Sequence, residues 1–223
     1  MGRGSENIRI APKRAQKLNP LFLVNGFVIG FSIAAPVGPI GLLCIQRTLA
    51  RGRLSGFVTG LGAATADAVY ASMGAFGLAF VATFLVQEQF WLRLIGGAFL
   101  IFLGVRIALR KAVETAGPAE KNQRLASDYG TTVALTLTNP STIISFAAIF
   151  AGLGLANQKG DYSGAAILVA GVFAGSTAWW LVLSSVVSAV RHRLSPGRMR
   201  LVNLLSGALI VAFGVVVAVS LFL

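Results

Sequence analysis

Residues 35–74 read APVGPIGLLCIQRTLARGRLSGFVTGLGAATADAVYASMG and combine features that an oily environment rarely tolerates without cause. Pro36 and Pro39 interrupt an apolar run, Arg47, Arg51 and Arg53 make a short basic turn, and Asp67 lies about midway along the next apolar run. A chain in lipid must satisfy its own backbone, and it buries a charge there only at a cost. A broken helix beside a carboxylate therefore marks a place where something polar crosses. These features read as those of a membrane transporter organised around this stretch.

Composition agrees. The 223 residues are 56% hydrophobic and 12% charged, against about 25% charged in an ordinary soluble domain. With a mean hydropathy of +0.79, the chain reads as a one-domain integral membrane protein embedded in lipid. The net charge of +12 sits in clusters between apolar runs, so anionic lipid and topology account for it and no nucleic-acid partner is expected. One cysteine (Cys44) and one histidine (His192) build neither a disulfide framework nor a zinc or haem site, and no metal or cofactor is expected. The polar, basic start (Arg3, Arg9, Lys13, Arg14, Lys17) reads as a tail. A cleaved signal is disfavoured because the apolar run continues past S-I-A-A at 32–35 and Pro36 would follow the cut.

Crossing a ~30 Å hydrocarbon core takes about 20 helical residues. Six apolar segments qualify, near 21–46, 54–82, 90–110, 131–156, 164–190 and 199–222. The polar stretch from Lys111 to Asp128 is long and mixed in charge, with Gly117 and Pro118 in its middle, and reads as a linker. The expected organisation is a tail (1–20) and a six-helix transporter domain (21–223). That domain divides into repeat one (21–110), linker (111–130) and repeat two (131–223).

The repeat rests on sequence. G-A-F-L-I-F-L-G-V at 97–105 matches G-A-L-I-V-A-F-G-V at 207–215, the proline-broken first segment answers Asn139-Pro140 in the fourth, and Gly60 answers Gly171. Three crossings per unit is odd, so the second copy must enter the membrane inverted, with the substrate path between the halves. The fold class expected is all-α, with six transmembrane helices as two inverted three-helix repeats whose first and fourth helices are broken. Equivalent loops also exchange their basic character: Arg47, Arg51 and Arg53 stand against Lys159 and Asp161, and a turn without basic residues before Arg93 stands against Arg191, Arg193, Arg198 and Arg200. The positive-inside rule then places the first, third and fifth loops in the cytoplasm and both termini outside, although the basic tail argues the other way.

Asp67 is the one acidic residue that this reading puts inside a segment; Asp128 and the others fall in loops or tails. Its helical neighbours Gly60, Ala63, Ala64, Ala71 and Gly74 are small, Tyr70 being the one large exception, so this face turns toward the bundle. Asp67 reads as a proton acceptor or cation ligand; a permanently hydrogen-bonded structural carboxylate is the competing reading. Pro36-Val-Gly38-Pro39 removes two backbone donors within four residues, and Asn139-Pro140 answers it in the second half. Half-helix ends at both breaks would face a shared path, with Ser141, Thr142 and Ser145 beside the second. Gly26/Gly30, Gly56/Gly60 and Gly171/Gly175 are read as helix-packing pairs that leave a homodimer open. Tyr70, Trp179 and Trp180 are candidates for lining or gating the path.

Taken together, P-x-G-P, R-x-x-x-R-G-x-x-x-G from Arg47 to Gly56, the small-residue helix ending in Asp67, G-A-x-L-x-x-L-G across 97–104, and Asn139-Pro140 resemble the lysine exporter (LysE/RhtB) family of bacterial amino-acid translocators. The resemblance covers nearly the whole chain from about residue 21. It implies a multi-pass exporter of the bacterial cytoplasmic (inner) membrane that moves amino acids or similar small polar solutes outward in exchange for a coupling proton or cation. By matching position it implies path roles for Pro36, Gly38, Pro39, Asp67, Asn139 and Pro140. Ser141 stands where many members have lysine, and Phe99 where tyrosine is common. The alternative is a cation or metal-ion exporter of the same superfamily. A membrane oxidoreductase would need a partner for Cys44, and a hydrolase would need a nucleophile–base set at depth, so no enzyme is expected.

Overall fold

A computed structural model describes residues 20–36, 38–76, 87–109, 118–153, 162–191 and 196–221. The basic tail, the Lys159/Asp161 turn and His192 lie outside the described residues. All the elements described are helices: α1 (Pro20–Ala34), α2 (Pro39–Arg51), α3 (Arg53–Ala75), α4 (Gln89–Ala108), α5 (Pro118–Leu137), α6 (Pro140–Leu153), α7 (Tyr162–Arg191) and α8 (Pro196–Val219). Three stretches among them, Phe90–Ala108, Tyr162–Arg191 and Arg200–Val219, are long and apolar enough to cross a membrane, and α1 with α2 makes a fourth if the bent pair is one span.

Both proline sites break a helix as the residue chemistry requires. α1 and α2 meet at 79°, with Gly38 in extended backbone before Pro39 at the first position of α2. Proline suits that position because its missing N–H has no partner there in any case. In the second half, Asn139 ends α5 and starts α6. Its side chain accepts a hydrogen bond from Ser141 N (3.1 Å), and its carbonyl accepts from Thr142 N and Ile143 N. This is an asparagine N-cap followed by proline.

The small residues decide how the helices approach. α1 lies along α7, α4 along α8, and α3 against both α7 and α5. A Cβ on Gly104 would stand 2.7 Å from Gly207 O, and one on Gly214 would stand 2.8 Å from Gly97 O. Gly97 thus meets Gly214 while Gly104 meets Gly207, so α4 and α8 run antiparallel with their backbones in contact. Gly26 and Gly30 meet Gly171 and Val172 in the same manner, and Gly60 accepts the side chain of Trp180. Gly52, at φ 102°, turns α2 into α3 with one residue, its N–H bonded to Thr48 O at 2.8 Å.

Asp128 is not a loop residue: α5 is already helical from Pro118, and Asp128 is buried on it, in contact with Arg47 and Arg51. Its charge is tolerated because two guanidiniums neutralise it, a circumstance invisible in the local sequence. Arg47 likewise belongs to the buried face of α2 and not to an exposed turn.

Candidate functional site

The breaks in α1–α2 and α5–α6 face each other across one cavity of about 300 Å³, at the lower end of the range for small-molecule sites. Ala34, Pro36, Gly38, Pro39, Ile40 and Gly41 line it from the first break, and Thr138, Asn139, Ser141, Thr142 and Ser145 from the second. Asp67 from α3, Thr136 from α5 and Trp180 from α7 close its interior, and Ile33, Leu100, Leu135, Phe213 and Val217 supply apolar wall. Pro36, Ser141 and Ser145 are exposed while Asp67 and Thr136 retain only 3% exposure each. The former mark the mouth and the latter the floor.

Asp67 is held by a short relay. Trp180 Nε1 donates to Ser176 Oγ (3.2 Å), and Ser176 Oγ donates to Asp67 Oδ2 (2.7 Å). Trp180 can reach this position because Gly60 leaves room for its side chain. Among the described residues no arginine, lysine or histidine lines the cavity, so the single carboxylate sets its charge. Thr136 adds a hydroxyl with no hydrogen-bond partner among the described residues.

The start of α2 is the complementary pole. Gly38 provides no side-chain cap, and the first backbone N–H groups of a helix have no partner within it. Ile40 and Gly41, which carry two of these groups, line the cavity. An uncapped helix start presents partial positive charge and favours a carboxylate or another anion. The start of α6 differs, since Asn139 already occupies its Ser141 N–H.

Of the residues singled out from sequence, Asp67, Pro36, Gly38, Pro39, Asn139, Ser141, Thr142, Ser145 and Trp180 come together around this cavity, and Pro140 begins α6 beside it. Tyr70 and Trp179 are not among its lining residues. Tyr70 Oη donates to Leu137 O (2.5 Å), a carbonyl released by the Asn139-Pro140 break, and its ring tilts against Phe146. Trp179 packs edge-on against Phe31 on α1. Sequence reasoning missed Thr136 and Ser176. Ser176 lies one residue beyond Gly175, turned about 100° round the helix from the Gly171/Gly175 face that packs on α1, and it contacts Asp67 on α3; neither it nor Thr136 had a signal of its own.

The cap at the second break can be tested directly. Replacing Asn139 with Ala should cost about 1 kcal/mol of local stability and lower transport, while Asn139→Asp or Asn139→Ser, which retain a side-chain acceptor, should restore most of the thermal stability. Thermal unfolding of the purified variants checks this, and an alanine variant indistinguishable from the parent would remove the cap from the account.

Comparison with known proteins gives a consistent outcome. The model of a family described as LysE type translocator matches residues 31–221. The uncharacterized membrane protein YahN of Escherichia coli (strain K12) is 30% identical over 174 residues, covering 76% of each chain. YcgF of Bacillus subtilis (strain 168), provisionally named as an amino acid efflux protein, is 27% identical over 195 residues, covering 84% of this chain and 90% of its own. The chemotactic transduction protein ChpE of Pseudomonas aeruginosa is 26% identical over 175 residues, covering 75% and 83%. No solved structure matches the chain.

Proposed function

Because the chain belongs to the family of LysE type translocators, and is therefore a membrane transport protein and not an enzyme, we propose that it exports neutral amino acids across the bacterial cytoplasmic membrane in exchange for protons. One observation carries the reading: a single cavity joins a buried carboxylate to an uncapped helix start. A zwitterion presents one group for each. Its ammonium pairs with Asp67, and its carboxylate takes the first backbone N–H groups of α2, at Ile40 and Gly41.

The cargo's net charge follows from the same count. With zwitterion charges met by one carboxylate and one helix start, a further charge on the cargo side chain would find no opposite group in the wall, and an unpaired charge in an apolar site is costly. The walls supplied by Ile33, Leu100, Leu135, Phe213 and Val217 suit an apolar side chain. Asp67 itself needs a balancing positive charge in lipid, met in turn by the cargo's ammonium and by a proton. Competition for the same oxygens links outward cargo movement to inward proton movement.

The architecture proposed is six crossings in two inverted halves. Its support is the antiparallel glycine contact of α4 and α8. Exchanging the matched positions (97 with 207, 104 with 214) turns the Gly97–Gly214 contact into the Gly104–Gly207 contact, as a two-fold relation demands. The ends of α2, α4 and α7 share one end of the bundle with the starts of α3 and α8, and Arg51, Arg53, Arg106, Arg191 and Arg200 gather there. By the positive-inside rule that end is cytoplasmic.

The test is efflux from cells fed dipeptides containing leucine, lysine or glutamate, with and without the gene. Leucine efflux should rise several-fold with the protein present, and lysine and glutamate efflux should stay at background. Gene-dependent efflux confined to lysine would overturn the neutral cargo, and no change for any amino acid would overturn amino acid export.

A further inference from the structure

Beyond the cavity, the same interior faces carry a second polar centre that the transport reading leaves without a role. On α3, Asp67, Ala63, Thr59 and Ser55 follow one another at four-residue steps and so share a face. On α5, Leu135, Thr132 and Asp128 share a face at steps of three and four residues, and so on α2 do Ile40, Leu43 or Cys44, Arg47 and Arg51. Three stripes thus begin at the cavity wall and run toward the basic end of the bundle. At about 1.5 Å per residue, Ser55 lies ~18 Å along the helix from Asp67, and Arg47 ~12 Å from Pro39.

Where the stripes arrive, the interior is closed by a continuous network. Arg47 Nε pairs with Asp128 Oδ1 (3.2 Å). Arg47 Nη1 donates to Thr59 Oγ1 (3.1 Å), Asp128 O (2.9 Å) and Thr132 Oγ1 (3.0 Å), and its Nη2 donates to Thr131 Oγ1 (2.8 Å). Asp128 also accepts from Arg51 Nη2 (2.7 Å) and from Ser55 Oγ (2.5 Å). Nearby, Gln46 Nε2 donates to Asn203 Oδ1 (3.3 Å), and Arg191 Nε donates to Leu49 O (2.9 Å). Arg47, Ser55, Thr59, Asp128 and Thr132 are all buried. A buried ion pair adds little net stability over apolar packing of the same volume, so holding the fold together is a weak reason for this arrangement. Its bonds tie α2 and α3 to α5, between the cavity and the basic end. At the other side of the breaks, the exposed Pro36, Ser141 and Ser145 leave the cavity with a mouth.

We infer that the Arg47–Asp128 network is the gate that closes the path between the cavity and the basic end of the bundle, and that it opens once in each transport cycle. Asp128 is a positioning residue: it touches no cargo but holds α5 against α2 and α3, so cargo reaches Asp67 from that side only when its pairs with Arg47 and Arg51 part. The inference rests on the transport reading, since a path closed at one end has meaning only if something passes.

Site-directed labelling tests it without cargo. In a Cys44→Ala background, Ser145→Cys at the mouth and Ala63→Cys on the α3 stripe serve as separate reporters, probed with a membrane-impermeant maleimide in right-side-out and inverted vesicles. The parent should react from the face opposite the basic loops. Asp128→Asn should raise reaction from the basic-loop face about tenfold or more, and the exchange Arg47→Asp with Asp128→Arg should return it toward the parental rate, which a merely structural role would not do. The pair Ser55→Ala with Thr132→Ala loosens the network without leaving a buried charge unpaired, and should raise the rate a few-fold even if Asp128→Asn does not assemble. Parental labelling rates in the assembled variants, or a parent already labelled equally from both faces, would overturn the gate. Altered labelling in the variants with amino acid efflux at background in the parent itself would instead count against the transport reading and leave the closure standing, whereas altered labelling with parental efflux in the variants would overturn the gate.

Discussion

Asp67→Asn is expected to lower amino acid efflux by about 10- to 100-fold while leaving the amount of assembled protein unchanged. Asparagine has the same shape, and its carbonyl oxygen can still accept from Ser176 Oγ, which now donates at 2.7 Å. What disappears is the charge. A hydrogen bond to a charged group is worth about 1.5–3 kcal/mol, and at 1.4 kcal/mol per tenfold that range gives the stated loss. The response to an imposed proton gradient should vanish with it, because the asparagine amide cannot alternate between binding a proton and pairing with the cargo's ammonium. Ser176→Ala should do less: the carboxylate remains and loses one neutral donor. Vesicle efflux with and without a proton gradient measures both. A variant at position 67 that retains gradient-driven efflux would leave the cavity without its central group and the exchange mechanism without a carrier.

Gly104→Leu should prevent stable assembly. A Cβ at this position meets Gly207 O at 2.7 Å and Val211 N at 2.8 Å, both backbone atoms that cannot rotate away. Helices in lipid have no hydrophobic drive to associate and depend on close contact between small residues, so separating α4 from α8 removes the source of their attraction. The expected loss is about 3 kcal/mol, the upper part of the usual range for overpacking, read as a collapse of the monodisperse fraction on gentle heating. Gly130→Ala is the matched control. Nothing stands within 4 Å of its Cβ position, and alanine in place of glycine on α5 should be neutral or stabilise by up to about 1 kcal/mol. Equal behaviour of the two variants would mean that the glycine contact does not organise this pair.

Much of the site was legible because lipid makes two kinds of residue conspicuous. Pro36, Pro39 and Pro140 cannot sit in the interior of a straight helix without breaking it, and a charge such as Asp67 stands out in an apolar run, so four positions are conspicuous in the sequence alone. Small residues around Asp67 gave its direction as well, since a face of glycine and alanine packs closely against neighbours. Local sequence was compatible with the cap at Asn139, since asparagine favours the N-cap and proline the first helical position, but it marked the place only as a break. These properties depend on a residue and its near neighbours, and sequence records near neighbours.

Tertiary structure alone decided which groups meet. Ser176 lies 109 residues from Asp67 and Thr132 lies 85 from Arg47; hydroxyls are too common along the chain for either partner to be chosen in advance. Asp128 shows the difference most clearly. Among Lys121, Arg124 and Asp128 the polar composition reads as a linker, yet helix α5 carries the carboxylate inside, where Arg47 and Arg51 balance it. Whether a charge can be buried is a property of its surroundings in space. The chain order states which charges exist, and the packing of α2, α3 and α5 determines which of them face one another.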